Sequence, residues 1–144
     1  MMAFNQIYNQ KLFNFILNNN CDLSNIGLKE INEKIFNFNN LEELNLSENQ
    51  IDSIPKNIKN LTNLKTLNLS DNLIKKIPKD ISNLDKLENL YLSGNDLKKL
   101  PLTIIHLNKL KWLTLIDNPN LKLTKSQHTW LNNLKQNNCK ILID

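Results

Sequence analysis

Histidine occurs at two positions, His106 and His128, and cysteine at two, Cys21 and Cys139. Two imidazoles cannot build a multi-histidine metal centre, and neither a C-x-x-C nor an H-E-x-x-H spacing occurs. His128 and Cys139 both fall in the C-terminal stretch, so a thiolate–imidazole nucleophile is the one such pairing open on residue type. A surface histidine and a buried thiol is the simpler expectation. Gly27 and Gly94 are the only glycines, too few for a Walker loop or a dinucleotide fingerprint. Glu42 and Glu43 are neighbours on an expected strand, where alternation sends them to opposite sides, so they do not form an acid/base pair. No enzyme, catalytic residue, metal site or cofactor is expected.

The elements that would position a site must therefore be read for binding. The chain has 144 residues, of which 40% are hydrophobic, enough for one domain with a sizeable core. Its 18 basic residues are all Lys against 14 acids, a net charge of +4 too small by itself to announce nucleic acid. Asn and Leu each occur 28 times, while Val and Arg are absent. Asn, Lys and Ile have A/T-rich codons, so their abundance alone is discounted. Two cysteines near opposite ends are far fewer than a disulfide framework needs, which favours a reducing compartment. The early LFNFIL run is interrupted by Asn14 and unlike a secretory signal, and no apolar run reaches the length of a membrane span. A cytoplasmic protein is expected.

Leu41, Leu64, Leu87 and Leu110 recur every 23 residues. The segments LEELNLSENQI, LKTLNLSDNLI, LENLYLSGNDL and LKWLTLIDNPNL each fit L-x-x-L-x-L-x-x-N, and the first three continue into I-P-x-x-I or L-P-x-x-I. One step upstream, Cys21, Leu23, Leu28, Ile31, Ile35 and Phe38 hold core positions of a worn first coil, in which Ile26 replaces the Asn. Within each copy, alternation such as Leu44, Asn45, Leu46, Ser47 marks a half-buried strand, and later apolar residues such as Ile51, Ile54, Ile58 and Leu61 wrap back over the same interior. One coil cannot bury these residues alone, so the coils must stack.

Residues 18–123 resemble the leucine-rich repeat family, and the 23-residue step with Ile-Pro or Leu-Pro looks like its intracellular Ras-group members. The resemblance implies an α/β fold: a right-handed solenoid with a short parallel strand per coil on the concave side and turns or short helices on the convex side. It also implies a protein-binding scaffold, and by analogy a small GTPase as one possible partner. The whole chain, 1–144, is expected to be one domain, with an N-terminal helical cap at 1–17, about five repeats over 18–123 and a C-terminal cap at 124–144. Phe4, Ile7, Tyr8, Leu12, Phe15 and Ile16 recur at helical spacing in the first cap. In the second, Ser126 is expected to cap a helix carrying Trp130, Leu131 and Leu134, with CKILI as a closing strand. Sealed at both ends, the chain is expected to be complete and monomeric.

Asn49, Asn72, Asn95 and Asn118 fall where the chain leaves each strand, where an inward amide can satisfy backbone groups left by the bend. They are expected to form a structural ladder. Pro55, Pro78 and Pro101 stand where short helical turns would begin.

Outward strand positions become rows across the concave sheet. The third motif position reads Asn20, Glu43, Thr66, Asn89, Trp112; the fifth, Asp22, Asn45, Asn68, Tyr91, Thr114; the seventh, Ser24, Ser47, Ser70, Ser93, Ile116. Tyr91, Trp112 and Ile116 should gather into an apolar patch near Glu88, Asn89, Asp117 and Asn68, with Glu43 farther along the rows. That patch either anchors an intracellular protein partner or is covered by the C-terminal cap. Acids outnumber Lys65 and Lys111 around the strands, which suits a basic or mixed partner surface. The alternative reading is a ridge of Lys75, Lys76, Lys79, Lys98 and Lys99 that binds a polyanion, RNA or acidic lipid. Without Arg or interleaved aromatics, nucleic acid is the weaker expectation.

Overall fold

The computed structural model describes residues 19–144, so the helix expected over the first 17 residues lies outside the described residues. Five short strands occur at the repeat spacing: β1 (Asn20–Asp22), β2 (Glu43–Asn45), β3 (Thr66–Asn68), β4 (Asn89–Tyr91) and β5 (Trp112–Thr114). A sixth, β6 (Lys140–Leu142), comes from the C-terminal stretch. All six form one parallel sheet in sequence order. The parallel crossovers carry the right-handed sense general to such connections.

Strand register explains why the repeat is so strict. Cys21, Leu44, Leu67, Leu90 and Leu113 stand side by side. A one-residue slip would turn this inward row to solvent. All five are buried, as are Leu23, Leu46, Leu69, Leu92 and Leu115 in the next row. Together with Ile51, Ile74, Leu97 and the Ile58, Ile81, Ile104 row, they belong to a single apolar core that runs the length of the sheet. Phe36, not singled out above, is the fully buried aromatic of the first coil, while Phe38 is only partly buried against the core. The 3-10 turn explains the exchange: η1 (Glu33–Asn37) points Phe36 inward and ends at Phe38.

Each strand ends after three residues because the chain turns through a left-handed position two residues past the second Leu. Asn25, Glu48, Asp71, Gly94 and Asp117 occupy it, with φ of 52, 56, 56, 64 and 56°. That conformation costs a non-glycine residue roughly 1–2 kcal/mol. Gly94 is the position where a side chain meets most resistance, since a Cβ there would lie 2.3 Å from Asp71 Oδ1. On the convex side each coil closes with a 3-10 turn: η1, η2 (Lys56–Asn60), η3 (Lys79–Asn83) and η4 (Leu102–His106). Pro55, Pro78 and Pro101 cap the last three, their carbonyls accepting from Ile58, Ile81 and Ile104 N–H. In the first coil Asn32 takes the same place and caps with its side chain, accepting from Lys34 N–H.

The C-terminal cap is a 12-residue helix, α1 (Lys125–Gln136), followed by β6. Its N-cap is Thr124, not Ser126. Thr124 Oγ1 accepts from Gln127 N–H while Gln127 Oε1 accepts from Thr124 N–H, a reciprocal box that Ser126, inside the first turn, cannot form. Gln127 is fully buried and also donates to the Leu100 and Pro101 carbonyls, tying α1 to the last full coil. Trp130 Nε1 donates to Leu107 O, and Leu131 and Leu134 join the core. The expected closing strand is thus present as β6.

Candidate functional site on the concave sheet

The asparagine ladder is built as the residue types required. Asn72 Nδ2 lies within hydrogen-bond distance of the Leu46, Leu69 and Ser70 carbonyls at 2.9–3.2 Å, and its Oδ1 accepts from Ile51 N–H at 3.0 Å. Asn49, Asn95 and Asn118 repeat the pattern in their own coils. All four are buried. Their amides are spent on backbone groups, which makes them scaffold.

Outward positions carry a second device. Asp22 and Asn45 accept from both the N–H and the hydroxyl of Ser24 and Ser47, and Asn68 accepts from Ser70 N–H. These short side chains close local turns and leave the first three strands polar. In the fourth coil Tyr91 stands in place of the acceptor. Ser93 Oγ is consequently buried with no hydrogen-bond partner.

The register sets Asn89 beside Trp112, and Asn68 and Thr114 on either side of Tyr91. Tyr91 and Trp112 have ring centroids 6.4 Å apart at 46°, a tilted pair. Both rings and Ile116 are half-buried. Trp112 Nε1 is buried and unpartnered, the second such polar atom at this place. Asn89 is held by donating to Thr66 Oγ1 at 3.0 Å.

The C-terminal cap runs beside this patch instead of folding over it. β6 extends the sheet, setting Lys140 next to Trp112 and Leu142 next to Thr114. Lys140 Nζ sits 4.8 Å from the Trp112 ring centroid, a cation–π contact. Thr114, between Tyr91 and Leu142 in its row, is only 7% exposed, while Leu142 is 47% exposed and adds to the apolar surface. The repeat pattern does not point to Lys140 or Leu142. The period fails there, and only the CKILI strand pattern hinted at them.

Of the remaining residues read as site candidates, Asp117 is exposed beyond the patch and Glu43 lies three strands away on β2, at about 4.8 Å per strand. Glu88 is engaged: Lys111 Nζ donates to its Oε2 at 2.8 Å, just as Lys65 Nζ donates to Glu42 Oε2 at 2.6 Å. The second motif position thus runs Glu42, Lys65, Glu88, Lys111 in alternating sign. The acidity expected around the strands is reduced by these two pairs. The bond to Glu42 and its charge push the Lys65 pKa above its ordinary value.

His106 ends η4 on the convex side, exposed as expected. His128 borders a recess with Leu121, Leu123, Ile143 and Asp144 that Cys139 does not line. Cys139 is buried, its thiol donating to Lys140 O, and burial pushes its pKa up, away from the activated range. Among the described residues no cluster of three or more His, Cys, Asp or Glu could hold a metal ion, and no helix is long and apolar enough to cross a membrane.

A parallel sheet with one strand per 23-residue coil, an asparagine ladder and 3-10 turns behind defines a solenoid repeat protein. The model described as "Leucine-rich repeat region" matches residues 55–140, and that described as "Leucine Rich Repeat" matches 40–61. This chain belongs to the leucine-rich repeat family, whose members are typically non-catalytic protein-interaction modules. Among solved structures, a leucine-rich repeat protein of Leptospira interrogans is 34% identical with a TM-score of 0.69, covering 80% of this chain. The chain spans 28% of that protein. The internalin inlF of Listeria monocytogenes is 27% identical with a TM-score of 0.63, over 82% of this chain and 32% of its own. The ectodomain of the receptor kinase SOBIR1 from Arabidopsis thaliana, 24% identical with a TM-score of 0.68 over 85% of this chain and 67% of its own, shares the fold. Comparison with curated proteins yields no match.

Proposed function

We propose that this chain is an interaction module that binds an intracellular protein partner through the concave end of β4–β6. Tyr91, Trp112, Ile116 and Leu142 are its apolar anchors, with Asn68, Asn89, Asp117 and Lys140 at the rim. The observation that carries this reading is the half-exposed, tilted Tyr91–Trp112 pair together with the exposed Leu142, large apolar side chains on a sheet face that is polar in the first three coils. Trp and Tyr are also the side chains that most often dominate interfaces, since they bury large area with few rotatable bonds.

The protein acts as a monomer in a reducing compartment, where the buried thiols Cys21 and Cys139, at opposite ends of the sheet, stay reduced. A small GTPase is a candidate partner through the likeness of the 23-residue Ile-Pro coils to Ras-group repeats.

Affinity capture from cells with wild type, Trp112→Ala, Trp112→Phe and Tyr91→Ala tests the reading. For a captured protein, Trp112→Ala should weaken binding by about 2 kcal/mol, roughly 30-fold. Trp112→Phe, which keeps a smaller ring, should fall between. Unchanged capture by both alanine variants, with the wild-type circular dichroism spectrum retained, would overturn it.

A further inference from the structure

We propose that a second surface, the lysine-bearing edge where the coils turn from the sheet toward the convex side, docks on an anionic membrane. The inference is independent of the concave site.

Lys75, Lys76, Lys79, Lys98 and Lys99 are all exposed, and none of their ammonium groups has an ion-pair or hydrogen-bond partner among the described residues. The fold enlarges the ridge beyond the residues read from sequence. Lys122 N–H donates to Lys98 O at 3.0 Å, which brings the exposed Lys122 into the row of Lys75 and Lys98. Lys125 joins at the first turn of α1, which Gln127 pins to Leu100 and Pro101. Seven lysines thus line the edge, against the carboxylates Asp80 and Asp96, and the row is interrupted in the preceding coil by Asp52 and Ser53 at the positions of Lys75 and Lys76.

Charge alone would not distinguish lipid from RNA; the apolar residues do. The described residues include three exposed large hydrophobic side chains, and two of them border this edge: Leu73 at 50% and Leu102 at 66% exposure. Leu102 holds the η-turn position that carries Glu33, Lys56 and Lys79 in the earlier coils. Thr103 Oγ1 donates to Lys79 O at 2.8 Å, so Leu102 lies next to Lys79. An exposed leucine among unpaired lysines suits a bilayer surface, where lysines meet lipid phosphates and the leucine enters the headgroup layer. Single-stranded RNA instead calls for stacking aromatics and Arg. No residue of this edge is aromatic, and the chain has no Arg.

The test is flotation of the full chain with phosphatidylcholine vesicles, with and without about 30% phosphatidylserine, at about 0.1 M and 0.5 M salt. Binding should require phosphatidylserine and vanish at the higher salt. Lys98→Glu with Lys99→Glu should weaken it at least about tenfold, and Leu102→Ser about three- to tenfold. Leu102→Ser should keep the fold, because polar residues already occupy that position in three other coils. Lys86→Glu with Lys109→Glu, on the opposite edge, should leave vesicle binding within about twofold. The proposal is overturned by absence of binding to the anionic vesicles at low salt, by Leu102→Ser binding as wild type, or by equal loss from the opposite-edge pair. It is also overturned if an oligouridine strand binds the protein more tightly than the vesicles do and does so independently of Leu102.

Discussion

An interior asparagine does in this fold what no apolar side chain of similar size could. Asn72 bonds three carbonyls and one N–H from two coils, all in places where water cannot substitute. Asn72→Ala should therefore destabilise by about 1–3 kcal/mol, read from the urea midpoint. Asn72→Asp at neutral pH should cost more, because it turns a carboxylate oxygen toward those carbonyls. The same bonding economy, inverted, distinguishes the concave patch. Where Tyr91 displaces the Asp or Asn of earlier coils, Ser93 Oγ is left unpartnered. Lys65 offers a pH test at this scale. Its pKa is raised in the folded state above the ordinary 10.5 by its bond to Glu42, so its stabilising contribution is complete below that value and is lost as pH rises through the raised one. Denaturation midpoints of wild type and Lys65→Met should differ near neutrality and converge in strong alkali. Because both partners are about half exposed, the difference should be small and shrink with added salt.

At the scale of elements, strands of three residues hold together because each contributes to one row after another, and 3-10 turns suffice behind them because the apolar residues need only reach the shared interior. The cap helix is the exception, having to hold its own ends. Thr124→Ala removes half of the reciprocal cap and should cost about 1 kcal/mol, whereas Ser126→Ala should stay within about 0.5 kcal/mol. Urea titration of the two variants separates the cap seen here from the one read in the sequence. That reading failed because Thr124 and Ser126 are both good capping residues. The choice between them depends on Gln127, which is drawn into the box while its amide bonds the Leu100 and Pro101 carbonyls of the preceding coil.

For the whole molecule, the core is continuous from the first described coil to α1, so coils stabilise one another in series and the last one depends on its cover. A chain ending at residue 123 would leave Leu107, Leu113 and Leu115 without Trp130, Leu131, Leu134 and β6. It should unfold at a lower midpoint or self-associate, as light scattering would register. An unchanged midpoint and a monomeric mass would contradict that dependence. The two proposed surfaces lie on different sides of the same solenoid, the apolar patch on the sheet and the lysines on the turning edge. A partner on one need not displace a membrane from the other.

The repeat spacing by itself determined the strands, their register, the inward leucine rows and the asparagine ladder, because a period of 23 residues leaves one way to stack the coils with every apolar row buried. The rows of outward residues follow from the same register, which is why the spacing alone pairs Tyr91 with Trp112. Beyond the periodic part that reasoning stops. Only the tertiary structure decided that β6 lies beside Trp112 instead of over it, that Lys140 rests on the indole, that Leu142 extends the patch, and that Lys122 joins the ridge. Each of these depends on where a non-repeating segment docks, a balance of long-range contacts that no local pattern encodes.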